Sequence, residues 1–268
     1  MEFDYLNKKD SRDLVKDLFK LSFTKEDLPF ETIILPLGFN SITFIFNKQQ
    51  NTLFKGNKTP IKGLTVTGQF YGTYTYFVND ESSNLGIRLQ PTSLYKILNT
   101  DISLFTNKHI LLEKINSELA EKLEPLFTQN KDNLPKFEET IIEFIENLHL
   151  TINSDVEYVD KAIDYIIEKN GLLQVNELLN VVPFSQKSLE TKFKKIVGLT
   201  PTKFIRQYRF MNLMQKYQTK KINLKDLFYQ YNYYDFSHFY KDFRLFMNQS
   251  PKLFFNQDHP LLDKYLRE

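Results

Sequence analysis

Cysteine is absent from all 268 residues, which excludes disulfides, thiolate chemistry and thiolate metal sites. No run of eighteen apolar residues occurs, so no membrane span is expected. The opening Met1-Glu2-Phe3-Asp4-Tyr5 has neither the basic start nor the apolar core of a secretory signal. These absences predict a cytoplasmic protein with no membrane partner. His109, His149, His238 and His259 are scattered with no second ligand at helical spacing, so no metal is expected. The adjacent carboxylates Asp80-Glu81 lie among Asn79 and Ser82-Ser83 and read as a loop rather than an acid/base pair. Gly68 and Gly72 precede no helix start with Lys-Ser/Thr, so they form no phosphate-cradling loop. No nucleophile stands beside a base. The expectation is a protein that is not an enzyme, with no catalytic residue and no cofactor.

Charge is unevenly placed. Residues 1–154 carry 17 Lys and Arg against 20 Asp and Glu, a net of −3, and residues 155–268 carry 18 against 13, a net of +5. Between Lys187 and Lys252 there are 14 basic residues and 4 acids, a net of +10. A basic run is often only a solvated face; here it coincides with a repeat, which points to a phosphate-binding surface.

The repeat has an offset of fifty residues. Leu189 is matched by Phe239, Phe193 by Phe243, Lys194 by Arg244, Gly198 by Asn248, Thr200 by Ser250, Pro201 by Pro251 and Phe204 by Phe254. A fixed offset means one supersecondary unit used twice. In the first copy Leu189, Phe193, Ile196 and Val197 form a single helical stripe. Gly198 can end the helix in the left-handed conformation, Thr200 can cap the next one, and Pro201 suits its first turn. Phe239, Phe243 and Phe246 repeat the stripe. The outward face of the first helix then carries Lys187, Thr191, Lys194 and Lys195, flanked by Ser188 and Glu190. That of the second carries Ser237, Lys241 and Arg244, flanked by His238 and Tyr240; Leu245 also points outward, and the repeat does not explain it. Polar tips with positive charge toward the helix end suit a major groove and its phosphates.

Along the chain, residues 8–23 predict an opening helix, with Leu14, Leu18 and Leu21 on one face. Short β-branched or aromatic segments follow at 31–35, 41–46, 63–67, 73–78 and 84–89, separated by turn signals, and suggest a small barrel or sandwich. Helical spacing returns at 113–127 and 136–148. These two helices can pack on the barrel or pair with a second subunit. Asn153-Ser154-Asp155 breaks the pattern and divides a domain at 1–153 from one at 154–268. Helices are expected at 156–169, 175–181, 201–216, 224–231 and 237–247, plus a short one from Pro251. At about 1.5 Å per residue the helix from Pro201 spans roughly 24 Å. With its flanking turns it can hold the two outward-facing helices roughly 34 Å apart, one turn of B-DNA. The clustered Tyr229, Tyr231, Tyr233, Tyr234 and Phe236 can stack on bases or pack in the core and turn. The fold class is α+β: a small β-barrel or cupin-like domain with helices, then an all-α domain of two helix-turn-helix units joined by a long helix.

The set Ser185-x3-Leu189-x3-Phe193-Lys194-x3-Gly198-x-Thr200-Pro201, Arg206-x2-Arg209 and Asp235-x-Ser237-x-Phe239-x3-Phe243-Arg244-x5-Ser250-Pro251 resembles the DNA-binding domain of AraC/XylS transcription regulators, over about residues 156–256. The resemblance implies a seven-helix module that binds double-stranded promoter DNA and works with RNA polymerase. By position, the family's base-reading residues fall on Lys187, Glu190 and Thr191, then on Phe236, Ser237, Tyr240 and Lys241. Lys194, Arg206, Arg209 and Arg244 would hold phosphates or buttress the fold. The chain departs from the pattern where small residues are usual, with Leu179 and Phe228 before the turns and Pro183 and Asn232 within them; Phe255 replaces a usual Arg.

Ile34-Leu35-Pro36-x-Gly38, Gly68-Gln69 and Leu85-Gly86-Ile87-Arg88-Leu89-Gln90-Pro91 are similar to the β-rich sensor region that precedes this module in many regulators of Bacteroidetes type. That similarity implies a small-molecule effector or a homodimer contact. Arg88 stands open between a ligand's anion contact and a structural hydrogen-bond hub. The competing readings are a small-molecule-binding barrel whose helical domain binds a protein partner, and a barrel enzyme, which would need convergent His and Glu side chains.

Overall fold

In the computed structural model residues 1–7, 10–220 and 224–257 are described. The segment 258–268, with His259, lies outside them, as do residues 8 and 9. The first part is an antiparallel sheet of β1 (Glu2–Leu6), β2 (Val15–Phe23), β3 (Phe30–Ile34), β4 (Asn40–Phe54), β5 (Asn57–Thr67), β6 (Tyr74–Val78), β7 (Ser82–Leu89) and, after α1 (Ser93–Leu98), β8 (His109–Leu111). The strand order is β1-β2-β7-β4-β5-β8, and β3 joins through β6 to the far half of β4. The register of β4 shifts between Ile45 and Gln50, where Asn47 takes a φ of 68°. Such a bulge bends the strand, so its first half pairs with β7 and its second with β6, curling the sheet toward a barrel. β4 and β5 meet at Lys55-Gly56, whose φ values of 48° and 82° match the two left-handed positions of a two-residue hairpin turn.

The opening helix expected over 8–23 is corrected: residues 15–23 are strand β2, paired on both edges by β1 and β7. Leu14, Leu18 and Leu21 fit a helical face, but Leu18 and Leu21 separate onto opposite faces, Leu18 into the helix-covered core and Leu21 into the barrel. Pairing with two neighbours outweighs the local helical spacing. The spacing also gave no sign of β1 or β8.

The period of two along the strands sorts the two faces. Ile42, Phe44, Leu64, Val66, Leu85 and Ile87 point outward, where α2 (Ser117–Gln129) and α3 (Leu134–Glu146) cover them with Leu123, Phe127, Phe137 and Ile141. Phe127 lies 6.2 Å from Phe44 and 4.7 Å from Phe137, ring to ring. The apolar stripes of these helices are therefore taken up by the local barrel. The inward face is mixed: Ser41, Thr43, Thr65, Thr67 and Asn84 line a cavity with Phe19 and Ile45. Gly86 is required there, because a Cβ on it would come 2.2 Å from the Phe19 ring.

The second part runs through α4 (Ser154–Glu168), a 3-10 turn (Val175–Asn180), α5 (Gln186–Val197), α6 (Pro201–Lys220), α7 (Leu224–Gln230), α8 (Phe236–Met247) and α9 (Pro251–Phe255). The helix expected over 175–181 is thus a 3-10 turn. The core is continuous across the break at 153: Leu94 and Ile102 share a cluster with Val156, Ile163 and Phe193. A second cluster joins Leu35 of the barrel to Phe210 of α6 and to Phe239, Phe243 and Phe246 of α8.

Candidate nucleic-acid interface and the cavity behind it

α5 and α8 are built by the same local chemistry. Ser185 Oγ accepts the N–H of Ser188 at 3.3 Å, and Asp235 Oδ1 accepts that of His238 at 2.7 Å, so each helix is capped by a side-chain oxygen three residues before the N–H that donates to it. Each ends in a left-handed residue, Gly198 at φ 97° and Asn248 at φ 55°. The next helices are capped alike: Thr200 Oγ1 accepts from Lys203 N at 3.4 Å, and Ser250 Oγ from Leu253 N at 3.2 Å. Leu189, Phe193, Phe239 and Phe243 are fully buried, and Phe204 and Phe254 nearly so.

The opposite faces are open. Lys187, Thr191, Lys194 and Lys195 on α5 are exposed, and Ser188 and Glu190 are half-buried at its edge. Thr191 Oγ1 donates back to the Lys187 carbonyl at 2.9 Å. Lys195 also lies 5.8 Å from the Tyr95 ring of the first part. On α8, Phe236, Ser237, Lys241 and Arg244 are exposed and Tyr240 is half-buried. Arg244 sits 5.9 Å over the Tyr240 ring. The aromatic cluster divides: Tyr231 and Tyr233 are core, while Tyr229 and Tyr234 are exposed at 70% and 92%. Phe228, standing where a small residue is usual, fills the crossing with its ring 4.4 Å from that of Phe239.

Arg206 and Arg209 are turned inward. Arg206 Nε lies 2.7 Å and its Nη2 2.5 Å from Asp242 Oδ1, and Arg209 Nη2 lies 3.5 Å from Oδ2. Tyr233 OH donates to Oδ2 at 2.8 Å, and burial, reinforced by the Asp242 charge, pushes this phenol far up from its ordinary range. Of the two roles open to these arginines, the geometry serves buttressing. Asp242 itself is 0% exposed and ties the connecting helix α6 to the buried side of α8. Its signal in the sequence was an acid placed on the apolar stripe, three residues after Phe239.

The barrel docks against the same elements. Leu245, outward by helical count, packs with the second cluster, and its carbonyl lies 3.0 Å from where a Cβ on Gly72 would be. Thr73 N–H donates to the Phe246 carbonyl at 2.8 Å, and the Tyr71 ring meets that of Phe246 edge-on at 5.3 Å. Thr106 Oγ1 donates to the Gly198 carbonyl at 2.6 Å, at the end of α5. Arg88 lines the cavity, with its Nε held at 2.5 Å by Asp17 on β2.

A helix-turn-helix domain model matches residues 178–257, and a model described as a domain of unknown function (DUF6597) matches residues 9–111. The chain carries an AraC-type helix-turn-helix domain. A domain of this type is a DNA-binding module found in transcription regulators. A similar curated protein is Histidine kinase P4 of Formosa agariphila, 32% identical over 114 residues, which are 40% of this chain. The chain spans only 8% of that relative's length. Among solved structures, ToxT from Vibrio cholerae O395 is similar at 11% identity and TM-score 0.48, covering 95% of this chain and 98% of that one. The AraC-like transcriptional activator CuxR is similar at 16% identity and TM-score 0.29, covering 76% and 77%. Among the described residues, no helix is long and apolar enough to cross a membrane, and no group of His, Cys, Asp and Glu could hold a metal ion.

Proposed function

We propose that α5 and α8 enter successive major grooves of an asymmetric promoter site. Lys187, Glu190 and Thr191 read bases in one, and Phe236, Ser237, Tyr240 and Lys241 in the other. Ser188, Lys194, Lys195 and Arg244 hold the adjacent phosphates, while Arg206 and Arg209 act through Asp242 to set α8 against α6. The barrel senses a small effector and passes its state through the loops that carry Leu35 and Tyr71 to α8. RNA polymerase is the partner that the bound regulator engages, and a second copy of the chain is a further partner.

The observation that carries this reading is the twice-used unit, with matching caps, matching left-handed stops and two open polar faces. Selection of bound sequences from random duplexes by the full chain, followed by titration of the selected site, tests it. Lys187→Ala and Lys241→Ala should each weaken the selected site by about 1–3 kcal/mol and relax preference at a few positions. An equal loss on random duplex would show that these lysines touch phosphate alone.

A further inference from the structure

We propose that the barrel cavity takes an uncharged, mostly apolar molecule that brings at least one O–H or N–H donor, of the phenol or cyclic alcohol type. This rests on the reading of the barrel as the sensor. The cavity measures about 140 Å³. At about 10–15 Å³ per water-sized centre it has room for roughly ten non-hydrogen atoms.

Charge is the first constraint. Among the described lining residues the charged side chain is Arg88, and Asp17, its register partner on β2, neutralises it. Burial pushes His109 down to about 4, so the ring is neutral near pH 7. A carboxylate or ammonium entering here would lose its water without gaining a counter-charge.

The hydrogen-bonding atoms set the second constraint. Gln50, Asn84 and Tyr76 of the lining, with Ser82 beside them, satisfy one another: Gln50 Nε2 donates to Ser82 Oγ at 2.9 Å, and Asn84 Nδ2 to Tyr76 OH at 2.6 Å. Three other polar side chains of the lining are different. Gln69, buried to 1% exposure, donates Nε2 to the Gly38 carbonyl at 2.7 Å, which fixes its amide and leaves Oε1 an acceptor without a partner. Asn40, fully buried, donates Nδ2 to the Pro91 carbonyl at 3.4 Å and leaves Oδ1 in the same condition. His109 Nδ1 is engaged by Thr67 Oγ1 at 2.9 Å, and its Nε2 is unpartnered. Two fixed acceptors and one adaptable nitrogen call for a donor on the ligand. Leu35, Leu37, Phe39 and Phe70 supply apolar wall for the rest of it.

Position links this site to the DNA-binding half. Leu35 belongs both to the cavity wall and to the cluster around Phe210 and Phe246. Gln69 and Phe70 precede Tyr71, whose ring meets that of Phe246 edge-on. The loops that carry Leu35 and Tyr71, beside the cavity, are those against which α8 packs.

The test is calorimetric titration of the full chain with 4-propylphenol, 4-propylbenzoate and 4-propylanisole, which share a body and differ in charge and donor. The phenol should bind about tenfold more tightly than either other compound. Gln69→Met and, separately, Asn40→Leu should each cost the phenol about five- to tenfold and leave the anisole unchanged. Thermal melts identify a variant that fails to fold, and the other variant then decides. Benzoate binding as tight as phenol, equal binding of phenol and anisole, or binding of none overturns the proposal. DNA selection on the same preparations separates the two readings. A chain that selects DNA and ignores the phenol refutes this site alone, and one that takes the phenol and selects no DNA refutes the regulator.

Discussion

Asp242→Ala is the perturbation that reaches furthest into the domain. The carboxylate is fully buried, receives Arg206 at 2.5 Å and Arg209 at 3.5 Å, and accepts the Tyr233 hydroxyl at 2.8 Å. Removing one side of a buried ion pair typically costs about 3–5 kcal/mol, because the remaining charge is left uncompensated. The Arg206 side chain is 39% exposed, so solvent screens part of its loss. We therefore expect about 3 kcal/mol, the lower end of that range. Equilibrium urea denaturation of the full chain measures it. The lesion should also reach function, because α8 loses its tie to α6 while α5 keeps its own caps and core. Affinity for a selected two-part site should fall, and the footprint should shorten to the half read by α5. Asp242→Asn, which keeps an acceptor for Tyr233, should fall between the wild type and the alanine variant. A loss below 1 kcal/mol together with a full-length footprint would show that Asp242 does not set the second unit.

Three further outcomes are expected. Burial holds His109 near about 4 when folded, against 6.5 unfolded. The unfolded chain then takes up the proton first, so stability is complete above pH 6.5 and declines by up to about 3 kcal/mol as pH falls toward 4. His109→Gln should flatten that part of the stability profile in urea titrations, and an unchanged slope refutes the assignment. Asp235→Ala removes the cap of α8 and should cost about 1 kcal/mol by the same measurement, with no effect expected if water replaces the cap fully. Gly198→Ala forces an L side chain to φ 97°, and a strain of about 1–2 kcal/mol should appear as a lowered urea midpoint; an unchanged midpoint would mean that the turn relaxes without cost.

The two repeated units were legible because their signals are local. Stripe, stop, cap and proline lie within seventeen residues, Ser185 to Pro201, and each acts on its own neighbours through backbone geometry. Repetition at one offset then fixed which helix faces are buried and which are free, and Lys187, Thr191, Ser237 and Lys241 came out exposed as that count requires. The five strand segments read between 31 and 89 were legible for the same reason, although 41–46 and 63–67 are only parts of the longer β4 and β5. What periodicity could not supply was partnership. Leu14, Leu18 and Leu21 satisfy a helical count, yet β1 and β7 on either edge make residues 15–23 a strand. Arg88 stands open between an anion contact and a structural hub, and Arg206 between a phosphate and a buttress, until Asp17 and Asp242 arrive, from 71 and 36 residues away in the chain. The cavity is tertiary in the same sense. Gln69, Asn40 and His109 come from separate segments, and only closure of the sheet brings all three into the lining of one space. Sequence alone thus determined what each helix shows to its surroundings, because side-chain direction follows backbone period; tertiary structure decided which charges are spent internally and where a ligand fits, because both depend on residues the chain brings together from afar.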